Sequence, residues 1–140
     1  MKLRTPLALL AFAAASSLSD AGVVLSLDGS RCESGAYGYY LTGNGMVGPL
    51  AQLQAHGYTV QTTNLITPAA LTGVNVLVLG ELIAGTTLSA SEASAVQSWV
   101  AAGGGLLYIG DNDNFAAADQ QIGSLVQGAD YGGVYAPNNY

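Results

Sequence analysis

Short apolar runs alternate with helical patterns along this chain, and the alternation predicts its elements. Gly22-Val23-Val24-Leu25-Ser26-Leu27 is brief, β-branched and ends at Asp28-Gly29, as a buried strand does. A loop rich in Gly and Tyr follows, from Ser30 to Gly45. Gly48-Pro49 then opens a short helix with Pro at the first helical position, where a missing N–H does no harm. Leu50 and Leu53 face inward in that helix, and Gly57 closes it. Tyr58–Thr63 alternates as a second strand, and Thr67-Pro68 opens one helical turn ending at Gly73. Val74–Leu79 is almost continuously apolar, the pattern of a strand buried on both faces.

The second half repeats the scheme. Ser89-Ala90-Ser91-Glu92 is a capping box, in which hydroxyl and carboxylate satisfy each other's orphan backbone donors. Its helix carries Ala93, Val96, Trp99 and Val100 on one side and ends at Gly103. Leu106–Ile109 is a fourth strand, leading into Gly110-Asp111. A last helix over about Phe115 to Val126 turns Ala118, Ile122 and Leu125 inward and stops near Gly128. Ala129–Tyr140 reads as loop, with one short candidate strand at Val134-Tyr135-Ala136. Strand-helix-strand order implies parallel β-α-β units with right-handed crossovers. The fold class is therefore α/β: a small open doubly wound parallel sheet ordered 2-1-3-4, with a short fifth strand if the tail pairs. Without that strand, strand four is an exposed edge, and the chain is a minimal or C-terminally truncated form of the fold.

The N-terminus changes the domain picture. Met1-Lys2-Leu3-Arg4 is a basic start, Leu7 to Ala15 is apolar, and Ser19-Asp20-Ala21 offers small residues before a cut. That is the layout of a secretory signal peptide over residues 1–21, with a cut after Ala15 as the alternative. The apolar run is shorter than the ~20 residues a membrane span requires. Residues 22–140 are then a single domain, secreted or periplasmic, without a membrane span.

Charge narrows the partners. Three Lys+Arg stand against nine Asp+Glu, for a net charge of −6. Nucleic acid and anionic membrane surfaces are excluded as partners, since both demand clustered cations. Cleavage removes Lys2 and Arg4, leaving Arg31 as the one fixed positive charge. A lysine base, a Schiff base and a paired-arginine clamp are all excluded with them. One cysteine rules out an internal disulfide and a Cys-based zinc site.

The carboxylates are the best-placed chemistry. Asp28, Glu81, Asp111 and Asp113 all follow strand C-termini, where open α/β sheets bind ligands at their switch point. Asp28 and Glu81 flank the crevice between strands one and three. Such a set holds a hard cation or supplies an acid/base pair; the plainer reading is that Asp makes good turns after strands. No cofactor is otherwise required. Tyr37, Tyr39 and Tyr40, with Arg31, surround the same edge, either as a sugar- or protein-contacting surface or as a cover for the sheet. Asp111-Asn112-Asp113-Asn114 fails as an EF-hand, because Phe115, Ala116 and Ile122 occupy its ligand and glycine positions. Leu27-Asp28-Gly29-Ser30 fails as a dehalogenase-like phosphatase motif, because Ser30 stands where the second acid belongs. Cys32 and His56 are expected at opposite ends of the sheet, leaving Cys32 a loop thiol open to pairing with another chain.

Val76-Leu77-Val78-Leu79-Gly80, then Leu88-Ser89-Ala90-Ser91-Glu92, then Trp99 through Gly103-Gly104-Gly105-Leu106-Leu107-Tyr108-Ile109-Gly110-Asp111, carry a resemblance. With Gly57-Tyr58-Thr59-Val60 they resemble the class I glutamine amidotransferase-like superfamily, over roughly Val23 to Gly128. The likeness is greatest to its non-amidotransferase branches, such as ThuA-like proteins and domains related to gliding-motility and intraflagellar-transport proteins. It implies a flavodoxin-like fold. Catalytic members carry a Cys at a sharp turn after a central strand and a downstream His. Here those turns read Gly80-Glu81-Leu82 and Gly110-Asp111-Asn112, and no His follows position 56, so no catalytic residue carries over. Two functions remain: a non-catalytic exported domain binding a protein or glycan through its upper loops, or a carboxylate- or metal-dependent hydrolase acting on carbohydrate.

Overall fold

Hydrophobic alternation does what it predicts. In the computed structural model, which describes residues 21–33, 38–110 and 115–125, four parallel strands form one sheet. These are β1 (Val23–Leu27), β2 (Thr59–Thr63), β3 (Val76–Leu79) and β4 (Gly105–Tyr108), in the order β2-β1-β3-β4. The helices are α1 (Val47–Ala55), α2 (Ala90–Ala101) and α3 (Ala116–Leu125). The fold is the small, open, parallel α/β sheet expected. Residues 1–20 of the expected signal peptide, Tyr37, Asp111, Asp113 and the candidate strand at Val134–Ala136 lie outside the described residues. Among the described residues, no helix is long and apolar enough to cross a membrane.

The two faces of the sheet are covered from opposite sides. Leu25, Leu27, Leu77 and Leu79 pack with Ala95 and Val96 of α2 and with Ala118 and Ile122 of α3. Their in-between neighbours Val24 and Val78 pack instead with Leu50 and Leu53 of α1 and with Leu41. Alternation along a strand sends successive side chains to opposite faces, so this split defines a doubly wound arrangement. Each fully buried Leu contributes roughly 1.5–3 kcal/mol. The cover is uneven. No residue of α1 is fully buried, and the connection between β2 and β3 is one turn, closed by Leu71 N–H to Thr67 O at 3.2 Å. Thr59 and Gln61 on β2 are consequently exposed.

Element boundaries shift by a residue or two from expectation. β3 starts at Val76 rather than Val74, because Asn75 joins β1 separately: its Oδ1 accepts from Val23 N–H at 2.7 Å. β4 starts at Gly105, opposite Val76. β2 starts at Thr59, and Tyr58 packs under α1 instead. A 3-10 turn at Asn44–Met46 leads into α1, which begins at Val47. Pro49 is therefore its third residue, not its first; the first four N–H groups of a helix lack partners, so the position is equally tolerant. Gly57 (φ +85°) and Gly103 (φ +101°) end α1 and α2 in the left-handed region, as expected.

Candidate functional site

Because α1 covers one face and α2 the other, the switch point falls between β1 and β3, at their C-terminal ends. In this chain that crevice is filled by the chain itself. The segments leaving β1 and β3 meet in an antiparallel bridge, Cys32 opposite Leu82. Around it, Glu33 N–H donates to Glu81 O at 2.9 Å and Ile83 N–H to Arg31 O at 3.2 Å. Glu81 N–H donates to Tyr39 O at 3.1 Å, bringing the later part of the β1 loop across the same gap. The ring of Tyr40 completes the closure. A Cβ on Gly29 would sit 2.6 Å from its Cζ, and one on Gly80 would sit 2.7 Å from its Cβ and 2.5 Å from Tyr39 O. At Gly80 the nearest atoms include backbone, so a side chain would not fit; at Gly29 they are the far end of the Tyr40 ring.

Each expected site residue has a place in this arrangement. Asp28 directly follows β1, and its Oδ1 accepts from Ser30 N–H at 2.8 Å. That bond holds its carboxyl below the usual range. It builds the turn, as the plainer reading had it. Glu81 is buried beneath the bridge, 4% exposed, so Asp28 and Glu81 do not face each other across an open cleft. Tyr39 and Tyr40, adjacent in sequence, part company: Tyr39 is exposed, while Tyr40 packs onto the core. Tyr37, Asp111 and Asp113 lie outside the described residues. Among the described residues, no three His, Cys, Asp or Glu side chains are grouped to hold a metal.

Arg31 is held by the fold. Its guanidinium forks onto Glu92, Nη1 to Oε1 at 2.9 Å and Nη2 to Oε2 at 3.2 Å, and Nη1 also donates to Asn64 O at 2.8 Å. Glu92 is 2% exposed and accepts further from Ile66 N–H, Ser89 N–H and Ser89 Oγ. Burial alone would raise the Glu92 carboxyl, but Arg31, Ser89 and Ile66 together pull it down to about 2. The capping box was legible; that its carboxylate also anchors the β1 and β2 loops was not. A second unforeseen pair is Tyr108, whose hydroxyl donates to Asp119. Burial first, then that carboxylate, pushes the Tyr108 hydroxyl far up.

Cys32 corrects another expectation. It is 1% exposed, and burial pushes its thiol up to about 11. A partner's sulfur has no access to it, so pairing with a second chain is excluded while the fold holds. His56 is exposed at the far end of α1, a helix about 13 Å long that leads away from the C-terminal edge of the sheet, whereas Cys32 is buried at that edge, so the two form no dyad, as expected. At pH 8, roughly one thiol in a thousand is ionised for such a pKa. Iodoacetamide is therefore expected to leave the native protein unlabelled and to label it fully in denaturant, read by intact mass.

An open groove of about 520 Å³ lies elsewhere, on the flank of α2, between Pro68, Leu71, Ser94, Ser98 and Trp99. It has no carboxylate lining and offers no acid/base chemistry. No protein-family model matches the chain, and neither a curated protein nor a solved structure matches it.

Proposed function

We propose that this chain is an exported, non-catalytic α/β domain of the amidotransferase-like kind, binding a protein or glycan partner through the loops at the C-terminal edge of its sheet. The observation that carries the reading is the closed switch point. A hydrolase of this architecture needs an opening there for substrate, and Tyr40 with three cross-loop hydrogen bonds occupies it. The same bonds make the upper loops a preordered platform, which lowers the entropy lost on binding. Export is supported by the basic, apolar and small-residue succession at the N-terminus, and the family likeness by the 2-1-3-4 order and the Ser89–Glu92 cap.

A melting series in Ca²⁺, Mg²⁺ and Mn²⁺ tests the exclusion of metal-dependent hydrolysis. The melt is expected to stay in place. At ~100 times a dissociation constant, a bound cation would add about 2.7 kcal/mol. A shift of that size, abolished by Asp111→Asn with Asp113→Asn, would replace the binding domain with a metal-dependent hydrolase.

A further inference from the structure

We infer that the partner of the upper loops is a cationic protein surface with apolar anchors, a choice that rests on the binding reading above. Among the described residues, Tyr39, Leu65 and Ile83 are large hydrophobic side chains left 37%, 52% and 40% exposed, all in segments that leave strand C-termini. Scattered exposed apolar residues are ordinary, but these three belong to one braced set of loops. Tyr39 O and Ile83 N–H take part in the bonds across the β1–β3 gap. Leu65 N–H donates to Thr63 Oγ1 at 3.2 Å, beside the Asn64 carbonyl that holds Arg31.

The charge around them has one sign. Asp28 and Glu33 lie on the same loops, and Arg31, the only cation there, is neutralised by Glu92. Asp28, held below the usual carboxylate range, stays ionised down to mild acid. Glu33, half-buried beside the bridge, has Oε1 accepting from Ala84 N–H at 2.9 Å. A neutral sugar can donate hydroxyls to the two carboxylates but brings no charge to offset theirs as water is excluded. A Lys- or Arg-bearing surface compensates both, and its apolar side chains cover Tyr39, Leu65 and Ile83. Complementary charge of this kind also speeds encounter.

The test is a titration of the ¹⁵N-labelled chain, observed by amide NMR, with three probes: an alternating lysine–leucine peptide, its glutamate–leucine counterpart, and maltohexaose. The lysine–leucine peptide is expected to shift amides of residues 28–33, 39–40, 64–65 and 83–84 saturably. Raising salt from about 0.1 M to about 1 M, where the screening length falls from ~10 to ~3 Å, should abolish the shifts. Asp28→Asn with Glu33→Gln keeps both acceptor oxygens and removes only charge; it is expected to weaken binding roughly tenfold with melting unchanged. Leu65→Ser with Ile83→Ser should weaken it as much. If maltohexaose alone moves these amides, the cationic partner is wrong while the upper-loop binding surface stands. Equal response to the acidic peptide, or shifts produced by concentrating the chain alone, overturns the inference in favour of another occupant. Silence toward all three probes overturns both readings.

Discussion

Replacing Arg31 by methionine is expected to destabilise the protein by about 3 kcal/mol at pH 7, a fall of roughly 10–12 °C in melting temperature for a domain of this size. The loss comes from what remains. Glu92 would be a carboxylate 2% exposed, with its guanidinium partner gone. Removing one member of a buried pair costs about 3–5 kcal/mol, and the part-exposed Arg31 end sets the effect at the lower bound. Glu92→Gln should cost about half as much, since a guanidinium 28% exposed regains water. The pH dependence gives the sharper check. Folding lowers the Glu92 carboxyl from 4.5 to about 2, so its contribution is full above about pH 4.5 and disappears as pH falls toward 2. In the Arg31→Met protein the guanidinium's share of that pull is gone while Ser89 and Ile66 remain, so the carboxyl lies higher than in the wild type. The gap between wild type and variant should therefore narrow from pH 7 to pH 3. A gap of constant size in urea melts at the two pH values would show that the ion pair is not what the substitution removes.

The second large effect is expected at Gly80. A methyl group there would lie 2.5 Å from Tyr39 O and 2.8 Å from Tyr40 Cα, both backbone atoms. Backbone cannot swing aside, so Gly80→Ala must push the β1 loop off β3 and break the Glu81 N–H to Tyr39 O bond. Overpacking of this kind with one lost hydrogen bond costs about 2–3 kcal/mol. Gly29→Ala provides the contrast. Its methyl would meet the far end of the Tyr40 ring, which can rotate, so less than ~1 kcal/mol is expected. Urea melts of the two variants side by side decide it. Equal losses would mean that the closure depends on the Tyr40 ring rather than on backbone pressed against backbone.

The strand order was legible in the sequence because a parallel sheet writes itself locally: each apolar run, each cap and each terminal glycine lies within its own element. Glu92 shows where local reading ends. Its position three residues after Ser89 announced the cap, but Arg31 is 61 residues away, and no spacing rule connects the two. Tyr39 and Tyr40 are indistinguishable as letters; only the loop's path sends one to solvent and the other onto Gly29 and Gly80. Cys32, flanked by Arg31 and Glu33, has the surroundings of a surface thiol in sequence. It is buried because its backbone pairs with Leu82, a contact made across the sheet. The switch point was located correctly from topology, and its closure was hidden because it consists of main-chain bonds between distant loops.

The central pairing of the sheet also governs how the molecule assembles. β1 and β3 are neighbours in space, yet Val23 and Asn75 at their foot are 52 residues apart in the chain. Direct pairing of the two closes a loop of that length, and the closure entropy is met before any contact rewards it. The helices cannot shortcut the step. α1 buries no residue fully, so its early formation offers the growing sheet little to condense upon. The loops above β1 and β3 can lock only after those two strands have met. Such a chain spends its earliest moments with its most hydrophobic strands apart and uncovered, the interval in which a parallel-sheet protein is most open to association with its own copies.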